Sequence, residues 1–498
     1  MASALSIFLL AEGKALASDL TIPNTFSAGD TVSASQMNAN FTATKNAVDD
    51  NASRITANES TVTSLSQSVN SLSTRTNEVE SEITDLYQQV SQLSASPAST
   101  IQVDCDTDPE ALISYEFTDN TTYVISGMCN GPVIVRGKAN VTLQGDASGT
   151  LDDGISLPTG LQSDPSATLI ISSSDNIHLN NIVITSFNSS DASNNPNGWW
   201  LTPLLVNRAS STDIHASKLQ GGDSGIDVYE NSVVRLYGNN VITGFLREGV
   251  NVHRGGSVQV REEISITSGN FTTPKPAVFR VYNNGVLLVK NATSSTFTPS
   301  NTSDSNNPRT VDAFDGGVVK LSDATITNQI WSQSSAVVTL YNSTVNDNIR
   351  AFDNGEVLVY SSTITDDISA ENNSLIKASY SVLNDWIKSS SNSRVEMFST
   401  SFSGTGFNVT NGSDFIVDNS STIDISGSAY ISKGGRFDMN DSSFASSSSD
   451  IQISRFGLVT LSGTVDLNGA NITCTASEQF DDGGLAGINA GTISANCN

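Results

Sequence analysis

The sequence predicts an all-β chain, a three-sided β-solenoid of roughly fourteen coils preceded by a parallel coiled-coil helix. Three observations carry the prediction. A short phrase returns through the final two-thirds of the chain: GGVVKL at 316–321, SAVVTL at 335–340, NGEVLV at 354–359, NSLIKA at 373–378 and NSRVEM at 392–397, then GSDFIV at 412–417, GGRFDM at 434–439 and FGLVTL at 456–461. Its second residues, Gly317, Ala336, Gly355, Ser374, Ser393, Ser413, Gly435 and Gly457, are spaced by 19, 19, 19, 19, 20, 22 and 22. A period of that length, rich in β-branched residues and without a helical stripe, marks stacked coils. Looser copies begin at Ser232, Gly256 and Gly285, and fainter ones at Ala139, Asp175 and Thr212. Stacked at strand spacing, the coils make a rod on the order of 65 Å. The second observation is an unbroken heptad pattern over 48–93. The third is composition: only 15% of residues are charged, while Ser, Thr, Asn and Asp are abundant, which suits strands with polar turns.

From the start of the chain, Met1–Ala17 reads as a signal peptide. Ala4–Ala11 is a short apolar run and Ala15-Leu16-Ala17 fits a cleavage site, although no Lys or Arg precedes the run. No later segment is long and apolar enough to span a bilayer. Residues 18–47 form a lead segment. Its NTFSAGD and ASQMNANF resemble a short segment of exported bacterial proteins and phage appendage proteins, which implies export or surface display. In the heptads, position a holds Val48, Ile55, Val62, Val69, Thr76, Ile83 and Val90, and position d holds Asn51, Asn58, Leu65, Leu72, Val79, Leu86 and Leu93. Arg54 with Glu59, and Arg75 with Glu80, are g-to-e′ opposites that favour parallel strands in register. β-Branched a with Leu at d is compatible with a dimer. Asn51 and Asn58 at d resemble the Asn layers of trimeric bacterial adhesin stalks, so a trimer is the expectation. Residues 94–100 form a linker, and 101–498 the solenoid.

The formal charge of −27, with no basic stripe, argues against a nucleic-acid partner and suits cations or solubility. The four cysteines, Cys105, Cys129, Cys474 and Cys497, fall at the two ends of the solenoid. Three connectivities exist, and local pairing at each end is the simplest. Such staples imply an oxidising compartment, hence a secreted or cell-surface protein. Asp108-Pro109-Glu110 reads as the start of a short helix that contains Leu112, Ile113 and Phe117 and can cover the open solenoid end.

The run VDCDTDPEALISYEF followed by YVISGMCNGPVIVRGKANVTLQG resembles the beginning of secreted bacterial right-handed parallel β-helix proteins of the pectin-lyase-like superfamily, here with an adhesin- or tailspike-like stalk. The resemblance covers about residues 101–498 and is one of architecture more than of catalytic motif. It implies right-handed coiling and traffic with polysaccharides.

Each coil can be registered on the second residue of the phrase. Residues two and four after it point inward, as do those six and four before it, such as Ile226 with Val228 and Phe279 with Val281. A third apolar site falls about nine after it: Val241, Ile326, Val345, Ile364, Leu383, Phe402 and Phe444. The outward residues of the strand before the phrase make two rows. One reads Asp227, Asn251, Arg280, Asp312, Trp331, Arg350, Ser369, Lys388; its neighbour reads Tyr229, His253, Tyr282, Phe314, Gln333, Phe352, Glu371, Ser390. Aromatics interleaved with Arg and Asp suit a glycan, with rings on sugar C–H faces and charged groups on hydroxyls or uronates. A stacked ladder that only stabilises the strands is the competing expectation. Three insertions, Asn188–Thr202, Ser268–Pro276 and Thr298–Arg309, fall at the corner before these rows, and Trp199 with Trp200 can overhang them or anchor their own loop.

Turnover has less support than binding. If the chain is a polysaccharide lyase or glycosidase, Arg280, Asp312, Arg350 and Asp227 are the residues expected to act. Asp227 and Asp312 lie three coils apart, wide for a carboxylate pair, and an ion pair explains Arg280 with Asp312. GDSGIDV at 222–228 resembles the aspartate strand of pectin-degrading hydrolases, but their paired-Asp and Gly-His-Gly elements and the lyase Arg-x-Pro-x-x-Arg pattern are missing. His178 and His215 face outward on adjacent coils and read as a solvated ladder pair, with a metal site the alternative. Asp152-Asp153, Asp366-Asp367 and Asp481-Asp482 could hold Ca²⁺ weakly, though turns favour Asp in any case. The sequence calls for no other cofactor.

Overall fold

A computed structural model describes residues 22–26, 31, 33–53, 55–56, 99–146, 153–157, 167–187, 201–262, 264–267, 277–290, 296–298, 309–444, 450–462, 465–468, 470–474 and 479–481. Met1–Ala17, most of the heptads, Trp199, Trp200 and Cys497 lie outside the described residues. The chain divides into two units, Met1–Ser94 and Ala95–Asn498.

In the first unit a helix covers 34–53 and 55–56. Ser33 and Gln36 start it with a capping box. Ser33 Oγ accepts the Gln36 N–H at 3.2 Å, and Gln36 Oε1 accepts the Ser33 N–H at 3.0 Å. Asn40 holds the preceding segment by accepting the Asn24 N–H at 2.9 Å and donating to the Asn24 carbonyl at 2.8 Å. The helix therefore begins upstream of the predicted stalk boundary at residue 48. Met37, Phe41, Val48 and Ile55 are all exposed on it. They occupy d, a, a and a of the same heptad frame, so the apolar seam reaches back to the cap.

The second unit is a parallel β-solenoid. Among the described residues its first sheet has 17 strands, from Ser99–Asp104 to Gln479–Asp481. Each copy of the phrase falls on one of them, and Ser99–Asp104, Thr121–Ser126 and Gln479–Asp481 complete the sheet. Each strand pairs in parallel with its counterpart one coil away, as Val337–Tyr341 does with Glu356–Tyr360. A second sheet holds the strands before the phrase, among them Ser224–Val228, Glu248–Val252, Ala277–Val281 and Arg309–Ala313. A third, of 7 strands among the described residues, runs from Met128–Asn130 to Thr296–Thr298. Downstream, two-residue strands such as Thr344–Val345 and Thr363–Ile364 occupy the same place in the coil.

Two corner devices explain the phrase. Before it the backbone turns through consecutive left-handed residues, for example Asp353 and Asn354 with φ of 50° and 66°, and Asn372 and Asn373 with 57° and 61°. Asn, Asp and Gly tolerate that region best, which is why NG, NS and GG open so many copies. The next residue must be small: a Cβ at Gly317 would lie 2.3 Å from the Val281 carbonyl oxygen. After the first-sheet strand comes a ladder of buried hydroxyls. The N–H of Ser343 donates to Ser362 Oγ at 3.0 Å, that of Ser362 to Ser381 Oγ at 3.2 Å, and that of Ser381 to Thr400 Oγ1 at 3.4 Å. Ser381→Ala should leave the buried Ser362 N–H without an acceptor and cost about 1–3 kcal/mol. Denaturant unfolding of the variant checks this, with Ser381→Thr retaining most of the stability.

The inward stacks predicted from the phrase are buried, including Val319, Leu321, Ile226, Val228, Phe279, Val281, Phe407 and Val409. Two expectations are corrected. At the first copy of the third apolar site Ile242 is buried, whereas Val241 is only half-buried, because Asn239 lengthens that corner by one residue. Residues 109–114 form turns with i→i+3 bonds, such as Ile113 N–H to Glu110 O at 2.8 Å, and not a helix. Ser114, with φ of 58°, stops helical propagation. Leu112 and Phe117 still bury themselves against the core, whereas Ile113 is exposed.

Candidate functional site

The second-sheet rows stand as the phrase predicted them. Asp227 pairs with Asn251, Asn251 with Arg280, Arg280 with Asp312, Asp312 with Trp331, Trp331 with Arg350, Arg350 with Ser369 and Ser369 with Lys388. The neighbouring row continues through Gln333, Phe352, Glu371 and Ser390. All three insertions leave the third sheet, after Ser186, Thr267 and Thr298, and return to the second, before Thr202, Ala277 and Arg309. Their described ends thus meet at one corner, next to these rows.

The aromatic row is a stack. Tyr229 and His253 lie 5.0 Å apart at 24°, His253 and Tyr282 4.9 Å apart at 0°, and Tyr282 and Phe314 4.7 Å apart at 4°. These separations match the strand spacing, so parallel pairing alone places each ring on the next. Ring faces are thereby turned on one another, while the Tyr229 hydroxyl accepts Asn207 Nδ2 at 3.0 Å and that of Tyr282 hydrogen-bonds the Asn251 side chain. The Trp331 ring meets Phe352 edge-on at 5.3 Å. The Arg309 guanidinium lies 3.3 Å over it and that of Arg350 4.9 Å.

Beneath the rows runs a charge network only half visible in the sequence. Arg280 bridges two buried carboxylates, bonding Glu248 Oε1 and reaching Asp312 Oδ2 at 3.4 Å. Asp312 also accepts Arg309 Nη1 at 2.7 Å, and Glu248 accepts Ser224 Oγ at 2.8 Å. Glu248, Arg309 and Asp312 are each 3% exposed. Burial pushes the Glu248 carboxyl up, opposed by Arg280, the Ser224 hydroxyl and Arg247. Glu248 and Arg309 were missed because each stands at the mouth of a strand, at the corner where the insertions upset the register.

Asp227 belongs elsewhere, accepting from Asn251 Nδ2 at 3.2 Å and lying 3.0 Å from His253 Nε2. Asp227 and Asp312, three coils apart on their row, thus have separate partners. Further along, Glu371 receives Lys388 at 3.0 Å and Arg350 at 3.3 Å, both cations being partly exposed. Burial disfavours the Glu371 anion, but hydrogen bonds from Ser369 and Lys388 and the charges of Lys388 and Arg350 outweigh it and hold the carboxyl below its usual value.

On the first sheet His178, Asp213 and His215 converge. The His178 imidazole is held below its usual value by burial, with Asp213 opposing and His215 and Arg235 adding to the effect. Asp366 and Asp367 are joined by Asp385. Desolvation, then the Asp385 and Asp366 charges, raise the Asp367 carboxyl above its usual value. A raised acid binds its proton more tightly in the folded state, so its contribution to stability falls as pH rises through the window above the unfolded value. Asp367→Asn should therefore raise the melting temperature at pH 7, with the gain vanishing in acid where the carboxyl is protonated. Melting curves across pH check it; an unchanged or lower melting temperature at pH 7 contradicts it. Asp152 and Asp482, from the other acidic doublets, lie outside the described residues.

At the solenoid start Cys105 and Cys129 form the expected disulfide, with Cα atoms 5.0 Å apart. Cys474 is disulfide-bonded too. Among the described residues no helix is long and apolar enough to cross a membrane. Comparison of the chain with family models, curated proteins and solved structures finds no match.

Proposed function

We propose that the protein is an exported, cell-surface or extracellular β-solenoid that binds a polysaccharide or other glycan along its second sheet without turning it over. One observation carries the reading: the described ends of three separate insertions meet at one corner, on the side of the rows that combine ring edges, amides, Arg350 and Lys388. Insertions on one side of a repeat line its binding side. Because the ring faces of the row are stacked on one another, glycan contacts fall to the ring edges and to the amides and cations beside them. The buried ion pairs of Arg280 and Asp312 weigh against a lyase or glycosidase. The parallel coils are inferred to be right-handed, the hand that parallel crossovers take almost without exception.

A purely structural spacer is the second reading, favoured by the ring stack itself. A polysaccharide screen scored for both retention and released ends separates the readings. Retention without products supports binding, new unsaturated or reducing ends indicate an enzyme, and neither leaves the spacer. Self-association belongs to the same proposal, through the seam of Met37, Phe41, Val48 and Ile55 continued by the heptads. Light scattering should give three chains per particle; a monomer rejects the stalk.

A further inference from the structure

The first sheet carries a cluster that the glycan reading does not use. The chain has three histidines, and two of them, His178 and His215, meet Asp213 there, with one ligand atom of each within 4.8 Å of the others. Register brings them together. His178 stands beside Asp213 on consecutive coils. His215 follows Asp213 by two positions on the same strand, so both point to the same side. His178 Nδ1 is 3.9 Å from Asp213 Oδ2. The other carboxylate oxygen, Oδ1, accepts Arg235 Nη1 at 2.9 Å, which orients Oδ2 towards His178. The His215 ring stacks on Tyr237 at 4.8 Å and 7°, which fixes its plane.

Outer partners that orient ligating side chains in this way are a regular part of metal sites. Around a tetrahedral ion with bonds of about 2.1 Å the ligand atoms stand about 3.4 Å apart, so modest side-chain rotations close the cluster onto one ion. Two imidazoles and a carboxylate are the donors of a borderline divalent transition metal, whereas calcium and magnesium take oxygen ligands. Asn180, beside His215, and Thr142, beside His178, offer polar neighbours on the preceding coils. The chain's charge of −27 favours any cation's approach.

We propose that His178, Asp213 and His215 form a three-ligand site for Zn²⁺ or a chemically similar divalent transition metal, with water completing the coordination. The ion clamps two consecutive coils, His178 from one and Asp213 with His215 from the next. Asp213 escaped the sequence reading because its partner His178 is a coil away and the intervening insertion hides the register.

The test is calorimetric titration of ZnCl₂ into the full chain after dialysis against EDTA, with melting temperature read in parallel. One Zn²⁺ per chain is expected at this site, with a rise in melting temperature, since a ligand that binds only the folded state stabilises it. His178→Ala and His215→Ala should each weaken binding at least tenfold and abolish the thermal shift. Asp385→Asn, in the separate acidic cluster, should leave both unchanged, and CaCl₂ should not compete. His215→Gln replaces the alanine variant if circular dichroism shows that the latter fails to fold. Absence of zinc binding overturns the proposal, as does equal affinity in the His178→Ala/His215→Ala double variant.

Discussion

Asp312→Ala is expected to destabilise the solenoid by about 3–5 kcal/mol, the effect of removing one member of a buried ion pair and stranding the other. Asp312 receives Arg309 at 2.7 Å and Arg280 at 3.4 Å, and its side chain is 4% exposed. Without it Arg309 loses the carboxylate that it bonds at 2.7 Å, and Arg280 loses one of the two carboxylates that it bridges. Arg350→Ala provides the contrast. Its pair with Glu371 is partly solvated, 39% and 25% exposed, so its loss should stay below about 1 kcal/mol. Denaturant unfolding of both variants gives the comparison. Similar small losses for both would show that the network is not electrostatically isolated from water. Because coils contact only their neighbours, the damage should centre on the coils from Glu248 to Trp331. Hydrogen exchange would locate it there.

Phe407→Ala should cost about 3–5 kcal/mol by opening a cavity in a core that cannot fully close. Phe407 is fully buried and lies 4.9 Å from Phe415 and 5.0 Å from Phe437. In its own stack it stands between Ile387 and Ala429. The small Ala429 leaves room for the rings, so size is matched across the coil and not along one column. Phe407→Leu keeps most of that volume and should lose clearly less. Equal losses for the two would mean that the site tolerates a void, contrary to close packing.

Much of the fold was legible because its rule is local. Alternation along a strand, two left-handed residues and a small residue repeat within each copy of the phrase, so Gly317 or Ser374 identifies its own place. The outward rows followed from that register with no further information. What escaped depends on corners and on the next coil. Asn239 shifted the buried site from Val241 to Ile242, and Ser114 turned an expected helix into turns. Glu248 and Asp213 acquire meaning from partners on neighbouring coils, at sequence separations that the insertions make irregular, and Arg309 from Asp312 three residues on, at the end of an insertion. The helix reached upstream of the first heptad because Ser33 and Gln36 cap it there, a signal present in the sequence but read only as part of the lead segment. The aromatic row was placed correctly, yet its chemistry changed once stacking engaged the ring faces.

Glycan binding at the second sheet is tested most directly by comparing two double variants on a polysaccharide array. Arg350→Ala/Phe352→Ala alters the rows beside the insertions. Tyr341→Ala/Tyr360→Ala removes a different stacked pair, 5.0 Å apart, on the first sheet. The expected result is retention by the wild-type chain and by the first-sheet variant, with at least a tenfold loss in the Arg350→Ala/Phe352→Ala protein at unchanged melting temperature. Equal retention by both variants, or no retained glycan at all, would contradict it.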